Sequence, residues 1–416
     1  MARSVAPLGR SFNGLWFATG SANLADGMAL FALPLLALSS GASPGGVAAV
    51  TMVLTLAWPL FGLQAGWLVD RADRRALMAG VNLARAGVLT AVTTGLATGN
   101  LSLPLILVTA AVLGVSETLV DTALTSTVPL VVEPSDRTRA NARIEATINV
   151  ANQLAGPPLA GALAGVALAF ATGASAALYA VAVAGIAVLA VRRSPRRPKA
   201  KLNRLAADLT AGLRFAWRQP TIRALTLFTA AMNLVWGAAL ALLVVYAVAP
   251  GPLGLTPAQY GIMLTAMAAG GLAASLVVDP LRRRIGPARL LIADCVGTVL
   301  FVAPIALGLN VWAVAAGVVV AGAGASVWRI LVATIRQNLT PDELLGRVYS
   351  ASRVVSWGAL PVGAGAAGII AEAWDVRTAF AAASALAIVM LAAFVPFAVR
   401  TDLSAALAAP AVQHPA

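Results

Sequence analysis

Runs of roughly 20 mostly apolar residues recur along nearly the whole chain, each closed by a charged or Gly/Pro/Asn-rich break. A helix that crosses a bilayer needs about that many residues. The runs fall at 13–38, 45–68, 76–98, 103–131, 144–170 and 174–191, then at 223–248, 257–279, 288–308, 311–336, 348–371 and 376–399. They are continuous rather than alternating, which sets aside a β-barrel. Composition agrees: 60% of residues are hydrophobic and 11% charged, where soluble domains carry about 25% charged residues. The expected class is an all-α integral membrane protein with about twelve transmembrane helices. The opening "MARSVAPLGR" leads into a run too long for a signal peptide, so it is read as preceding a retained first helix.

Charge is distributed on one side of the breaks. "LSSGASPGG", "ATGNLSLP", "FATGASA", "APGPLGLTPAQ" and "LGLNVW" carry none, and "AEAWDVR" holds a single basic residue, Arg377. The alternate breaks, among them "DRADRR", "DRTRANAR", "RRSPRRPKAKLNR" and "RRRIGPAR", collect about 25 of the 29 Lys/Arg. The positive-inside rule makes that side cytoplasmic, with both termini inside and the chain in the inner (plasma) membrane. The net charge of +13 therefore orients the protein and calls for no nucleic acid. One cysteine, Cys295, and one histidine, His414, leave no material for disulfides, a metal centre or a histidine base. No P-loop pattern is present, so ATP is not the direct energy source; the proton gradient is expected to supply it, with no cofactor, and the chain is not read as an enzyme.

The two halves repeat. "ANLADGMAL" matches "MNLVWGAAL", pairing Asn23 with Asn233 and Gly27 with Gly237. "GWLVDRADRR" matches "SLVVDPLRRR", pairing Asp70 with Asp279 and Arg75 with Arg284. Pro134 falls opposite Pro341, and Gly156 and Gly161 opposite Gly363 and Gly368. The offsets all lie at 207–210 residues. The organisation read from this is a six-helix bundle over 1–191, a basic linker with an amphipathic helix over 192–222, a second bundle over 223–400 and a tail over 401–416. In the linker helix Leu205, Leu209, Leu213 and Trp217 share a face, suiting the inner membrane surface. Parallel six-helix repeats place a substrate site between them, near the bilayer midplane.

Two such bundles joined by a basic linker, with "GWLVDRADRR" between spans two and three, resemble the major facilitator superfamily. Its loop signature is matched by Gly66, Leu68, Asp70, Arg71, Arg74 and Arg75, while Asp73 stands where a glycine is usual. The resemblance implies that Asp70 latches this loop onto span eleven in the outward-open state. On span five, Gly156, Pro157 and Gly161 resemble the exporters' Gly-Pro motif, with Ala160 in place of one glycine. The arginine that proton-coupled members often carry on span four is missing; Ala110 lies near its place. The runs 113–129 and 139–161 look most like the branch of enterobactin-type siderophore, macrolide and other drug exporters.

A charge at the bilayer centre costs about 2.5–3.5 kcal/mol, so buried acids are functional candidates. Asp26, Glu117 and Asp121 are the proton-coupling candidates. Asn23, Asn149, Asn152, Gln153, Asn233, Trp236, Arg329 and Trp357 are candidates for lining the cavity. Arg329 sits near the repeat position of Asp121, where neutralising pairing is the competing role. Arg85, Asp294 and Arg353 lie toward span ends, where pairing or snorkelling is expected. The reading is a monomeric secondary transporter in the lipid bilayer, exporting a hydrophobic or amphipathic small molecule by proton antiport. The alternatives are proton-coupled uptake of a polar nutrient and a non-transporting receptor or lipid-handling protein.

Overall fold

The structure, a computed structural model, describes residues 8–69, 71–189 and 202–408, with nothing stated for the side chains of Leu63 and 202–209. Asp70, residues 192–201 of the linker and residues 409–416 of the tail lie outside the described residues. The first half comprises α1 (Arg10–Ser39), α2 (Pro44–Val69), α3 (Arg74–Ala97), α4 (Leu103–Val131), α5 (Arg137–Ile148), a π-helical turn (Asn149–Ala155), α6 (Gly156–Val166) and α7 (Leu168–Ala187). The linker helix is α8 (Leu202–Arg218). The second half comprises α9 (Pro220–Ala247), α10 (Pro257–Ile285), α11 (Pro287–Ala306), α12 (Val311–Asn338), α13 (Leu345–Ala373), α14 (Val376–Arg400) and a short α15 (Leu403–Ala408). Among the described residues eleven helices are long and apolar enough to cross a membrane. The twelfth span is the segment α5–π–α6, which the π turn divides.

Its cause is local. Pro157 and Pro158 bring no amide to the start of α6, so carbonyls one turn earlier lack their usual donors. The ladder widens instead, and the Gly156 amide donates to Ala151, five residues back.

By contacts the described part of residues 1–36 and 60–200 forms one compact unit, and that of 37–59 and 201–416 a second. The same pairings recur in both. In the first, α3 packs on α7 and on α4, and α1 crosses span five. In the second, α11 packs on α14 and on α12, and α9 crosses α13. The repeat is thus structural: α3 and α11, α4 and α12, α7 and α14 are counterparts. Short 3-10 turns at Pro134–Asp136 and Asp342–Leu344 precede α5 and α13 alike.

Three expectations are corrected. "FATGASA" is not a loop: the break comes earlier, at the extended residue Ala167, and the segment belongs to α7. Its hydroxyls are satisfied within the bundle, Thr172 accepting from Thr93 at 2.8 Å and Ser175 donating to the Ala171 carbonyl. "RRRIGPAR" also shrinks, because α10 runs on to Ile285 and the chain reverses through Gly286 at φ +85°, a conformation natural to glycine. Finally, α8 packs on α13, a contact the linker reading did not include. Ala216 is buried with Ile222 and Val348, and Gly212 approaches the Arg347 backbone so closely that a Cβ would collide with it. Leu213 and Trp217 remain exposed.

At the opposite end, Asp375 caps α14 by accepting from the Thr378 amide at 2.7 Å. That hydrogen bond, with Arg377 nearby, holds its carboxyl below the usual range. The cap's contribution is present above the ordinary carboxylate pKa and lost as pH falls through the lowered one. Asp375→Ala is expected to speed amide exchange at Thr378 above that window, and to make no difference below it.

Candidate functional site

Asp26 lies midway along α1, and its carboxylate is the focus of the first unit. Arg85 of α3 places Nη1 3.2 Å from both carboxylate oxygens. The hydroxyl of Tyr179, on α7, donates to Oδ1 at 2.6 Å. Arg85 is 1% exposed and Tyr179 fully buried, while the Asp26 side chain keeps 12% exposure. The guanidinium also lies 5.2 Å from the Tyr179 ring centre, within cation–π range. Glu117 and Asp121, one turn apart on α4, act electrostatically on Arg85 as well. Asp26 thus meets Arg85 directly, and Glu117 and Asp121 add to the negative potential around it.

Arg85 corrects its expectation on one count: it does not snorkel toward a span end but sits at the buried centre of the cluster. Pairing was the right alternative. Among the described residues the Nε and Nη2 atoms of Arg85 have no hydrogen-bond partner, nor does Oδ1 of Asn82 one turn away. Tyr179 was not among the residues singled out from the sequence. A lone tyrosine in an Ala-rich span was the one available signal.

Span five meets α1 at the same level. Gly27 and Gly156 face each other so closely that a Cβ on either would collide with backbone, of Asn152 and of Gly27 respectively. Pro157 and Gly161 are buried beside them. Asn149 and Asn152 fall in the π turn and are half-buried, whereas Gln153 is exposed. Asn23 and Asn149 each donate to a carbonyl of their own helix, Thr19 and Glu145, at 2.9 Å.

The residues expected in the second unit do not converge in the same way. Asn233 donates to the Ser356 carbonyl at 2.7 Å, tying α9 to α13. Trp236 packs on Phe301 with ring centres 5.0 Å apart. Arg329 is exposed and makes no ion pair among the described residues, so the pairing weighed for it is not found. Arg353 makes no ion pair among the described residues and stacks on aromatic rings instead. Its guanidinium lies 4.0 Å from the Trp58 ring centre and 5.1 Å from that of Trp357. Asp294, expected to pair or snorkel, is buried with both carboxyl oxygens lacking a hydrogen-bond partner among the described residues.

In the loop after α2, Asp73 has a definite role: it caps α3, accepting from the Ala76 amide at 2.8 Å. An acid at a helix N-terminus is favoured by the dipole. Arg71 stacks on Trp67 at 4.2 Å, and Arg74 donates to Ser126 at 3.0 Å. Arg75 donates to the Ala187 carbonyl at the C-terminus of α7, where a cation is favoured. Gly66 faces open space. The arginines thus brace the start of α3 against α4 and α7. Asp279, the repeat partner of Asp70, pairs within its own helix with Arg282 at 3.0 Å.

A family model described as "Transmembrane secretion effector" matches residues 2–415. An uncharacterised major-facilitator-type transporter, y4rN of Sinorhizobium fredii, is 28% identical over 377 residues, covering 88% of this chain and 90% of that one. The fold matches a crystal structure of the nucleoside transporter NupG with a TM-score of 0.75 at 12% identity, over 92% of this chain and 98% of the other. It also matches a bacterial homologue of the iron transporter ferroportin, with a TM-score of 0.73 at 16% identity, over 94% and 100%. With its repeated bundles, intramembrane ion cluster and whole-length match, the chain belongs to the transmembrane secretion effector family of major facilitator transporters and is not an enzyme.

Proposed function

We propose that the protein is a proton-driven exporter of a hydrophobic or amphipathic small molecule, of the drug, antibiotic or siderophore kind. Its charged loops and both termini face the cytoplasm across the inner membrane, as the one-sided distribution of Lys/Arg supports. The observation that carries the reading is the buried cluster of Asp26, Arg85 and Tyr179 beside Glu117 and Asp121. Carboxylates that share one arginine in an apolar setting cannot all remain charged cheaply, so the cluster has a place for a proton. Protonating Asp26 weakens its hold on Arg85. The guanidinium, with Nε and Nη2 unused, then turns to Glu117 or Asp121 on α4. Such a partner exchange between α1 and α4 biases two arrangements of the bundle, which is what coupling requires.

The exporter-type Gly-Pro motif and the secretion wording of the family description favour outward movement. Sparse polar cavity candidates favour an amphipathic cargo over a polar nutrient. The test is accumulation of dyes, macrolides, tetracyclines and siderophores in a strain lacking the gene. At least one compound should accumulate several-fold more than in the complemented strain, and a protonophore should erase the difference. A difference that survives the protonophore, or complementation by Asp26→Asn, counts against proton antiport through this cluster.

A further inference from the structure

The repeat offset of 209 residues that pairs Asp70 with Asp279 and Arg75 with Arg284 also sets Asp294 opposite Arg85. Burial follows the same register: Asn82, Arg85, Leu89 and Val92 of α3 are buried, as are Leu291, Asp294, Thr298 and Phe301 of α11. Each bundle therefore holds one ionisable side chain at the same buried place, with opposite sign. The partners differ. Arg85 has Asp26, but at the corresponding place α9 carries Trp236, which packs on Phe301. Asp294 is 3% exposed, and among the described residues neither carboxyl oxygen has a hydrogen-bond partner.

Its surroundings are made to receive it. On α12, a Cβ at Gly324 would collide with the Asp294 carboxyl, so the glycine leaves the space that the group fills. Cys295 beside it is buried too, and among the described residues no ion pair joins Asp294 to the charged side chains of the helices packed on α11. Those include Arg223 on α9, Asp279 on α10, Arg329 and Arg336 on α12, and Arg400 on α14. An ionised carboxylate left unpaired in such a place costs several kcal/mol, whereas one proton removes the charge. A metal cation would require several oxygens at once. Among the described residues no cluster of acids, histidines or cysteines supplies them.

We infer that Asp294 is a proton-binding site of the second bundle, holding a carboxylic proton in this arrangement and releasing it when α11 and α12 part. This rests on the transport reading for its use in the cycle, but not for the proton itself. The site would add a second proton, in the bundle opposite the Asp26 cluster.

The test has two arms, both on the purified full-length protein and its isosteric variant Asp294→Asn. In the first, infrared difference spectra between wild type and variant should contain a carboxylic C=O band at neutral pH that gives way to carboxylate bands at high pH. Dicyclohexylcarbodiimide, which reacts with protonated carboxyls in apolar sites, should modify Asp294 in the same pH range. A difference spectrum with carboxylate bands alone at neutral pH overturns the site. In the second arm, proteoliposomes should show the variant moving one proton fewer per substrate than wild type; an unchanged ratio overturns its part in coupling. A protein that moves no compound yet shows the carboxylic band would refute the transport reading and leave the proton site standing.

Discussion

Asp26→Ala is expected to cost up to about 3–5 kcal/mol of stability, because it removes the anion that the buried Arg85 guanidinium contacts directly and leaves it to fall back on Glu117 or Asp121 of α4. Few single changes in this chain should cost more. A buried pair contributes little net stability, but half a pair is expensive. Arg85 is 1% exposed and cannot reach water. Tyr179 would also lose the acceptor of its 2.6 Å hydrogen bond. The double variant Asp26→Asn/Arg85→Gln should regain most of the loss, since neither remaining amide carries charge. Transport should not return with it, because the proton-binding carboxylate and its exchange partner are both gone. Thermal unfolding of the detergent-purified variants, followed by tryptophan fluorescence, measures the first claim, and pH-driven transport in proteoliposomes the second. If the single variant melts with wild type, Glu117 or Asp121 already holds Arg85 as well as Asp26 does, and Asp26 is not the anchor of the cluster.

Much of the fold could be read from the sequence, for a simple reason. Span length and loop charge are one-dimensional signals, and the bilayer enforces both. The fourth span was placed at 103–131, where α4 lies. What could not be read was which sides of the helices meet. In a soluble helix the buried side announces itself by its apolar stripe. Here lipid and protein interior are equally apolar, so Tyr179 facing Asp26 leaves no mark in "GASAALYAVAV". The break at Ala167 was missed because Thr172 and Ser175 look like loop residues until their hydroxyls find partners within the bundle. The π turn was half-legible: Gly156-Pro157-Pro158 predicts a disturbed helix, but not its direction or register. Arg85 and Asp294 stood at matching places in the sequence repeat. Only packing reveals that one of them has a partner.

Glycine at the helix crossings carries the other large expected effect. In the first unit Gly27 lies against the backbone of Asn152, and Gly156 against that of Gly27. In the second, Gly237 lies against the Leu360 carbonyl and Gly363 against that of Leu234. The four are repeat partners, 27 with 237 and 156 with 363, so each bundle closes the same crossing with the same pair of missing side chains. Small residues let helices in a membrane approach until their backbones touch, and packing there replaces the hydrophobic drive that lipid removes. A methyl group at these places meets backbone, which cannot rotate aside as a side chain would. Gly27→Ala and Gly363→Ala are each expected to cost about 1–3 kcal/mol, read as a lowered midpoint of thermal unfolding. Because the two crossings belong to separate units, the double variant should show close to the sum. Gly87→Ala is the control: it lies on α3, with open space where its Cβ would stand. There alanine should be neutral, or stabilising by up to about 1 kcal/mol through helix propensity. Equal behaviour of Gly27→Ala and Gly87→Ala would mean that α1 and span five have room to part, and that the crossing is looser than its backbone contact implies. If the penalty is real, the same crossing limits how a bundle can deform. Gly27 lies next to Asp26, so the loss of Asp26's charge would be transmitted to span five through backbone, and the π turn beside Gly156 is the part of that span with register to yield.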